Sequence, residues 1–118
     1  MSARSFHLTQ IGRADFLLEP GRGIDVARPG DLIEEILHRL QHAKPTRLYY
    51  DLAELPLIDP VYYNWLNALA RACQTMNVAL VCIHMQPTAA FGLTSFITQA
   101  PLFQTARDVS GRSAQGAR

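Results

Sequence analysis

The chain contains little cysteine, has no excess of charge of either sign and lacks a long apolar run. Its two cysteines, Cys73 and Cys82, are too few for a disulfide framework, and we expect both to be reduced and buried. A formal net charge of +1 provides no clustered basic surface, which disfavours nucleic-acid binding. No apolar run approaches the ~20 residues of a membrane span, and residues 1–5 lack the apolar core of a signal peptide. We therefore expect a cytoplasmic protein without direct membrane insertion.

Catalytic and cofactor motifs are also missing: the sequence contains no P-loop, zinc motif, nucleophile elbow or dinucleotide fingerprint. The glycine-rich residues 20–23 do not end in Lys-Ser or Lys-Thr, so they indicate a turn. His38 and His42 are four residues apart, but without a third ligand they indicate a solvated pair. His84 follows an apolar strand, where a general base is conceivable, yet no nucleophile motif accompanies it. We predict no enzyme activity, no cofactor and no metal site.

Composition and hydrophobic patterning predict one α/β domain over residues 1–109, followed by a disordered tail over residues 110–118. A hydrophobic fraction of 48% in 118 residues suffices for a single core. Alternating and continuous apolar patterns predict strands at residues 6–11, 15–19, 47–52, 78–83 and 105–109. Helical spacing predicts helices at residues 31–43, 60–76 and 87–100. The first two strands form an antiparallel hairpin, and residues 48–83 form a right-handed βαβ unit.

The junction between the central strand and the second helix carries two aspartates. Asp59 is a suitable N-cap, and Pro60 suits the first helical position because its missing N–H costs nothing there. Asp51 ends the preceding strand. The two carboxylates could approach each other and bind a cation or act in acid–base chemistry. We favour a structural interpretation, in which Asp59 caps the helix and Asp51 accepts hydrogen bonds from loop amides.

The segment from Asp51 to Asp59, Asp-Leu-Ala-Glu-Leu-Pro-Leu-Ile-Asp, resembles the signature of STAS domains, the fold of anti-sigma-factor antagonists and sulfate-transporter tails. The resemblance covers residues 6–109. It implies a mixed sheet of four to five strands with an N-terminal antiparallel hairpin, a βαβ core and about three helices. In phosphorylated members the residue after the second aspartate is the Ser or Thr that a partner kinase modifies. Pro60 occupies that position here and has no hydroxyl, so the usual phospho-switch cannot operate.

The resemblance implies a bacterial regulatory module that binds other proteins and is not phosphorylated at the usual position. The partner would be a kinase-like anti-sigma factor, another STAS protein or a second copy of the chain. Thr88, Thr94 and Ser95 are alternative regulatory hydroxyls. The expected contact residues lie at the start of the second helix and in two neighbouring segments: Asp59, Pro60, Tyr62, Tyr63, Trp65, Asp25 and Thr88.

The second helix has an apolar face broader than one sheet contact requires, which leaves two interpretations open. Its aromatic residues are either exposed interface anchors or internal packing residues. Two other functions also remain open. One is a sensor that binds an anion or nucleotide at the helix N-terminus beside Tyr62, Tyr63 and His84, although Asp59 already occupies the positive end of that dipole. The other, by family analogy, is a soluble STAS subunit of a transporter.

Overall fold

Eight regular elements make up residues 6–109, the part of the chain that the computed structural model describes. In chain order they are β1 (Phe6–Gln10), β2 (Asp15–Pro20), α1 (Pro29–Gln41), β3 (Arg47–Asp51), α2 (Pro60–Gln74), β4 (Ala79–Ile83), α3 (Pro87–Leu93) and β5 (Gln104–Ala106). The predicted tail, residues 110–118, lies outside the described residues. No helix within residues 6–109 is long and apolar enough to cross a membrane.

The five strands form one mixed sheet in the order β1-β2-β3-β4-β5. β1 and β2 are antiparallel, and the remaining pairs are parallel, which confirms the predicted hairpin and βαβ core. Parallel crossovers are nearly always right-handed, so three crossovers in one direction along the sheet place their helices on the same face. Ile36 of α1, Leu66 of α2 and Leu93 of α3 accordingly share one core cluster with Leu48 of β3. A smaller cluster occupies the opposite face, around Tyr49, Val81 and Ile83.

The first helix begins earlier than the sequence indicated. The helix was predicted to start at residue 31, but Pro29 lies in its first turn and the N-cap residue Arg28 makes no side-chain capping bond. Proline is well suited to this position because its φ is already helical. Asp31 lies in the first turn instead, where its charge favours the helix dipole. The segment before the helix is a turn, in which the Ile24 amide donates to the Gly21 carbonyl at 3.3 Å.

The second helix begins as predicted. The Asp59 carboxylate accepts a bond from the Tyr62 amide at 2.8 Å, and Pro60 follows in the first turn. The helix ends at Gln74, two residues earlier than predicted, and Asn77 lies beyond its end in a left-handed conformation with φ of 61°. Asparagine tolerates this region better than most residues. The helix therefore has one well-defined start, which fixes where each of its side chains points.

The third helix is shorter than predicted and ends at Leu93 rather than near residue 100. The hydroxyls of Thr94 and Ser95 donate to the carbonyls of Phe91 and Gly92 at 2.7 and 2.8 Å. Side-chain bonds of this kind offer the backbone an alternative to continued helix. The last strand is likewise shorter than predicted, because only residues 104–106 pair with β4.

Candidate functional site

The loop of residues 52–59 connects β3 to α2 at the carboxyl end of the sheet and is fixed to the start of α3. The side-chain amide of Gln86 donates to the Ala53 carbonyl at 2.7 Å, and the Thr88 hydroxyl donates to the Pro56 carbonyl. These bonds join the connections after two neighbouring strands. In open α/β sheets this is the edge at which ligands and partners commonly bind. The loop is therefore held in one arrangement at the edge where a functional site is expected.

Asp51 organises the base of this loop. Its Oδ1 accepts a bond from the Ala53 amide at 2.9 Å and lies 2.9 Å from Nδ1 of His84. His84 has a left-handed backbone with φ of 59°, and its amide donates to the Arg107 carbonyl at 3.1 Å. The prediction that Asp51 satisfies a loop amide is confirmed. His84 therefore connects Asp51 to the residue that follows β5.

Asp51 and Asp59 accept hydrogen bonds from separate segments of backbone. Asp51 accepts from the loop amide of Ala53, whereas Asp59 accepts from the helical amide of Tyr62. Within residues 6–109 no group of three or more His, Cys, Asp or Glu side chains could hold a metal ion. His38 and His42 form an edge-to-face pair with ring centroids 5.6 Å apart. The geometry of the two aspartates agrees with their structural interpretation.

Three large apolar side chains around this loop are exposed. Leu57 is 59% exposed, Val61 in the first turn of α2 is 49% exposed, and Phe91 on α3 is 79% exposed. Leu57 lies against α3, because a Cβ added to Gly92 would be 3.3 Å from its Cδ1. We call Leu57, Val61 and Phe91 the apolar rim. Large exposed apolar side chains on a fixed loop and two helix termini are typical of contact surfaces.

The apolar rim was not predicted from the sequence, although part of the signal was present. Ala89 and Leu93 are buried against the core one helical turn apart. A residue midway between them faces the opposite side of a helix. The pattern therefore places Phe91 towards solvent once the buried face of α3 is known. Leu57 carried no such signal, because a loop has no periodicity.

Trp65 does not belong to an exposed surface. Its side chain is 1% exposed and lies in the main core cluster, so it cannot contact a partner directly. Its indole Nε1 donates to the Tyr50 hydroxyl at 2.8 Å, and that hydroxyl lies 2.6 Å from the Tyr62 hydroxyl. Burial raises the pKa of Tyr50 well above its ordinary value and, to a smaller extent, that of Tyr62. The interpretation in which the aromatic residues pack within the domain is correct for Trp65.

The two tyrosines of the first turns of α2 point to different sides of the helix. Tyr62 lies beside Tyr50, with ring centroids 6.4 Å apart. Tyr63 packs edge-to-face on Phe96 and Phe103, with ring centroids 5.5 and 6.0 Å away. The helix is thus covered by the sheet, by α1 and by the segment after α3. These three contacts account for the broad apolar face seen in the sequence.

Each of the two tyrosines lines a depression of the surface. Tyr62 borders a cavity of about 550 Å³ between the β3–α2 loop and the turn after β2, with Arg22, Ile24 and Glu54 among its other walls. Tyr63 borders a groove of about 620 Å³ between α2 and the segment after α3. That groove is lined by the polar stripe of α2 and its neighbours: Asn64, Asn67, Arg71, Thr98 and Gln99. Both volumes lie in the range of small-molecule sites.

The other predicted site residues lie near this edge of the sheet without forming one cluster. Asp59, Pro60 and Thr88 are exposed around the loop, whereas Asp25 is exposed in the turn before α1. No described hydrogen bond or ion pair within residues 6–109 joins Asp25 to the other predicted residues.

The two cysteines are buried and have free thiols, as predicted. Burial raises the pKa of Cys73 to about 12 and that of Cys82 still further. A thiol with a raised pKa is a poor nucleophile and a poor metal ligand, because the thiolate is the reactive form. Both cysteines therefore act as small core residues.

Comparisons with known proteins identify the fold. No protein-family model and no curated protein matches the chain. Among solved structures, a serine-to-glutamate variant of RsbS from Moorella thermoacetica has a TM-score of 0.71 at 16% identity, covering 95% of this chain and 94% of that one. The NMR structure of the protein TM1081 has a TM-score of 0.75 at 8% identity, covering 100% and 93%. A chain of the stressosome, described as a signal integration and transduction hub, has a TM-score of 0.73 at 17% identity, covering 95% and 99%. These likenesses confirm the STAS-like α/β fold.

Proposed function

We propose that this chain is a regulatory module of the STAS type that acts by binding another protein, as anti-sigma-factor antagonists do. The observation that carries the proposal is the apolar rim. Its side chains are 49–79% exposed around a loop that hydrogen bonds fix to α3. The resemblance of residues 51–59 and the fold shared with RsbS and a stressosome chain support a signalling role. We further propose that the protein acts in the bacterial cytoplasm and is not an enzyme.

The rim has the chemistry of a contact surface. Burying an exposed Phe or Leu side chain stabilises a complex by about 1.5–3 kcal/mol, which is enough to make Phe91 a dominant contact. The Asp59 carboxylate and the exposed Thr88 lie at the edge, where a polar border would exclude water from the apolar centre. Because the loop is already ordered, less conformational entropy is lost on binding. Tyr62, Tyr63 and Asp25 are proposed as secondary contacts.

We propose that this binding is constitutive. Pro60 stands where the resembling family carries its phosphorylated hydroxyl. The three alternative hydroxyls, on Thr88, Thr94 and Ser95, each donate to a backbone carbonyl, so phosphorylation would break a bond that holds the loop or ends α3. The proposed partner is a kinase-like anti-sigma factor or another STAS protein. A second copy of this chain is the remaining candidate.

A comparative capture experiment tests the surface. Immobilised wild type, the double variant Leu57→Ser/Phe91→Ser and the control Ile11→Ser are incubated with lysate of the source cells, and bound proteins are quantified by mass spectrometry. Ile11 is an exposed apolar residue at the β1–β2 turn, far from the carboxyl ends of the parallel strands. We expect one STAS protein or kinase-like protein to be retained by wild type and Ile11→Ser and lost from the double variant.

Light scattering on the same three proteins tests self-association. A dimer of wild type and Ile11→Ser that becomes a folded monomer in the double variant would identify a second copy as the partner. Identical bound proteins and identical masses for all three would contradict the proposed surface. Stoichiometric phosphate on Thr88, Thr94 or Ser95 in protein from native cells would contradict constitutive binding.

A further inference from the structure

The cavity beside Tyr62 has walls of three chemical kinds. Its apolar wall is formed by Ile24, Val26 and Leu55. Two acidic residues, Asp51 and Glu54, and the half-buried Tyr62 line the remainder, with Arg22 at the side of the turn after β2. An apolar wall with a few converging polar groups is the usual composition of a small-ligand pocket.

The buried hydrogen-bond chain gives the Tyr62 hydroxyl a direction. The indole N–H of Trp65 can only donate, so the Tyr50 oxygen accepts from it. Tyr50 is fully buried, and its own O–H needs an acceptor, which the Tyr62 oxygen provides at 2.6 Å. The Tyr62 hydroxyl can then donate its own hydrogen bond to an acceptor other than Tyr50. Tyr62, which lines the cavity, therefore has a hydroxyl proton available for a bound ligand.

The carboxylates give the cavity an acidic character. Both described bonds of Asp51 are made by Oδ1, and its Oδ2 takes no hydrogen bond from the described residues. Glu54 is exposed, and the ion pairs within residues 6–109 include none between Arg22 and either carboxylate. Of the described residues, Arg22 is the one basic residue that lines the cavity, and His84 contacts only Oδ1 of Asp51. Oδ2 of Asp51 and the Glu54 carboxylate therefore favour a cation. An anion at this place would face both carboxylates.

We propose that this cavity binds a small aliphatic amine that also carries an oxygen acceptor. The ammonium group would face Asp51 and Glu54, the methylene chain would pack on the apolar wall, and the ligand oxygen would accept from Tyr62. The site differs from the anion or nucleotide site predicted at the N-terminus of α2, where Asp59 already caps the helix. The apolar rim takes no part in this site, and Tyr62, proposed above as a secondary docking contact, is the one residue that the two proposals share.

Trp65 provides the measurement, because it is the single tryptophan of the chain and is hydrogen-bonded to the Tyr50–Tyr62 pair. Aminohexanol is titrated into the full-length protein while tryptophan emission and melting temperature are recorded. Three analogues of aminohexanol are titrated as controls. Hydroxyhexanoate has the opposite charge, hexanediol has no charge, and hexylamine lacks the oxygen. We expect a saturable response to aminohexanol, a weaker one to hexylamine and none to hydroxyhexanoate or hexanediol over the same concentrations.

Two variants test the assigned contacts. Glu54→Gln should weaken aminohexanol binding about fivefold, the effect expected for a partly exposed ion pair. Glu35→Gln, an exposed carboxylate on α1 outside the cavity walls, should leave it unchanged. Tyr62→Phe should remove the preference for aminohexanol over hexylamine. A response to hydroxyhexanoate as strong as that to aminohexanol, equal affinities for Glu54→Gln and wild type, or no saturable response to aminohexanol would each overturn the proposal.

Discussion

Replacing Tyr50 by Phe removes one oxygen from the core without changing the packing of the ring. The oxygen accepts from the Trp65 indole at 2.8 Å and lies 2.6 Å from the Tyr62 hydroxyl. A buried donor left without a partner costs about 1–3 kcal/mol, and Trp65 is 1% exposed, so water cannot replace the lost bond. The bond to Tyr62 adds less, about 0.5–1 kcal/mol, because that hydroxyl is half-exposed and can turn to solvent. We expect Tyr50→Phe to lower the free energy of unfolding by about 1.5–4 kcal/mol.

Urea unfolding followed by far-ultraviolet circular dichroism measures this loss, and tryptophan emission reports the indole directly. Tyr63→Phe is the matched control, since it is the same chemical change on the same helix, but its hydroxyl makes only an exposed 3.4 Å bond to the Gln99 carbonyl. The control should lose no more than about 0.5 kcal/mol. The emission maximum of Trp65 should shift in Tyr50→Phe and stay constant in Tyr63→Phe. Equal stability losses in the two variants would refute the reasoning, because they would mean that the buried bonds contribute no more than an exposed one.

Three further predictions follow from groups whose surroundings are fixed. Asp59→Ala removes the cap on the Tyr62 amide and should cost about 1 kcal/mol in urea unfolding, whereas Asp59→Asn should cost much less. Burial raises the pKa of Tyr50 and Tyr62, so their contribution to stability is complete below about pH 10 and is lost as the pH rises above it. The melting temperature of wild type should therefore fall more steeply above pH 10 than that of Tyr50→Phe. Parallel curves of melting temperature against pH would contradict this prediction. Because burial raises the pKa of Cys73 to about 12 and that of Cys82 further, a thiol reagent should modify both only at the rate of unfolding, and rapid labelling of the native protein would contradict their burial.

The elements that the sequence predicted best are those whose limits are set by local chemistry. Asp59 and Pro60 form a cap and a first turn that need no tertiary contact, and the structure has both where they were expected. The continuous apolar run of β4 could only be an internal strand, and it pairs on both sides. Local signals of this kind depend on residues next to each other in the chain.

The errors arose where distant residues decide the outcome. Trp65 was placed both in a surface and in the core, and only the position of Tyr50 across the core selects between the two. The breadth of the apolar face of α2 depends on the segment after α3, which packs against it through Phe96 and a bond from the Leu102 amide to the Asn67 side chain at 2.9 Å. The predicted end of α3 near residue 100 was wrong for a different reason. Thr94 has ordinary helix propensity, but its hydroxyl donates to the Phe91 carbonyl.

The start of α2 determines the direction of the two tyrosine side chains that line the cavity and the groove. Successive residues of an α-helix are about 100° apart, so a start displaced by one residue would turn Tyr62 away from the cavity and Tyr63 away from the groove. Asp59 and Pro60 prevent that displacement. The Asp59 carboxylate accepts a hydrogen bond from the Tyr62 amide, and Pro60 has no N–H to donate within the helix. Pro60 also has no hydroxyl that could be phosphorylated, so the residue that fixes the start of α2 cannot itself be a site of covalent regulation.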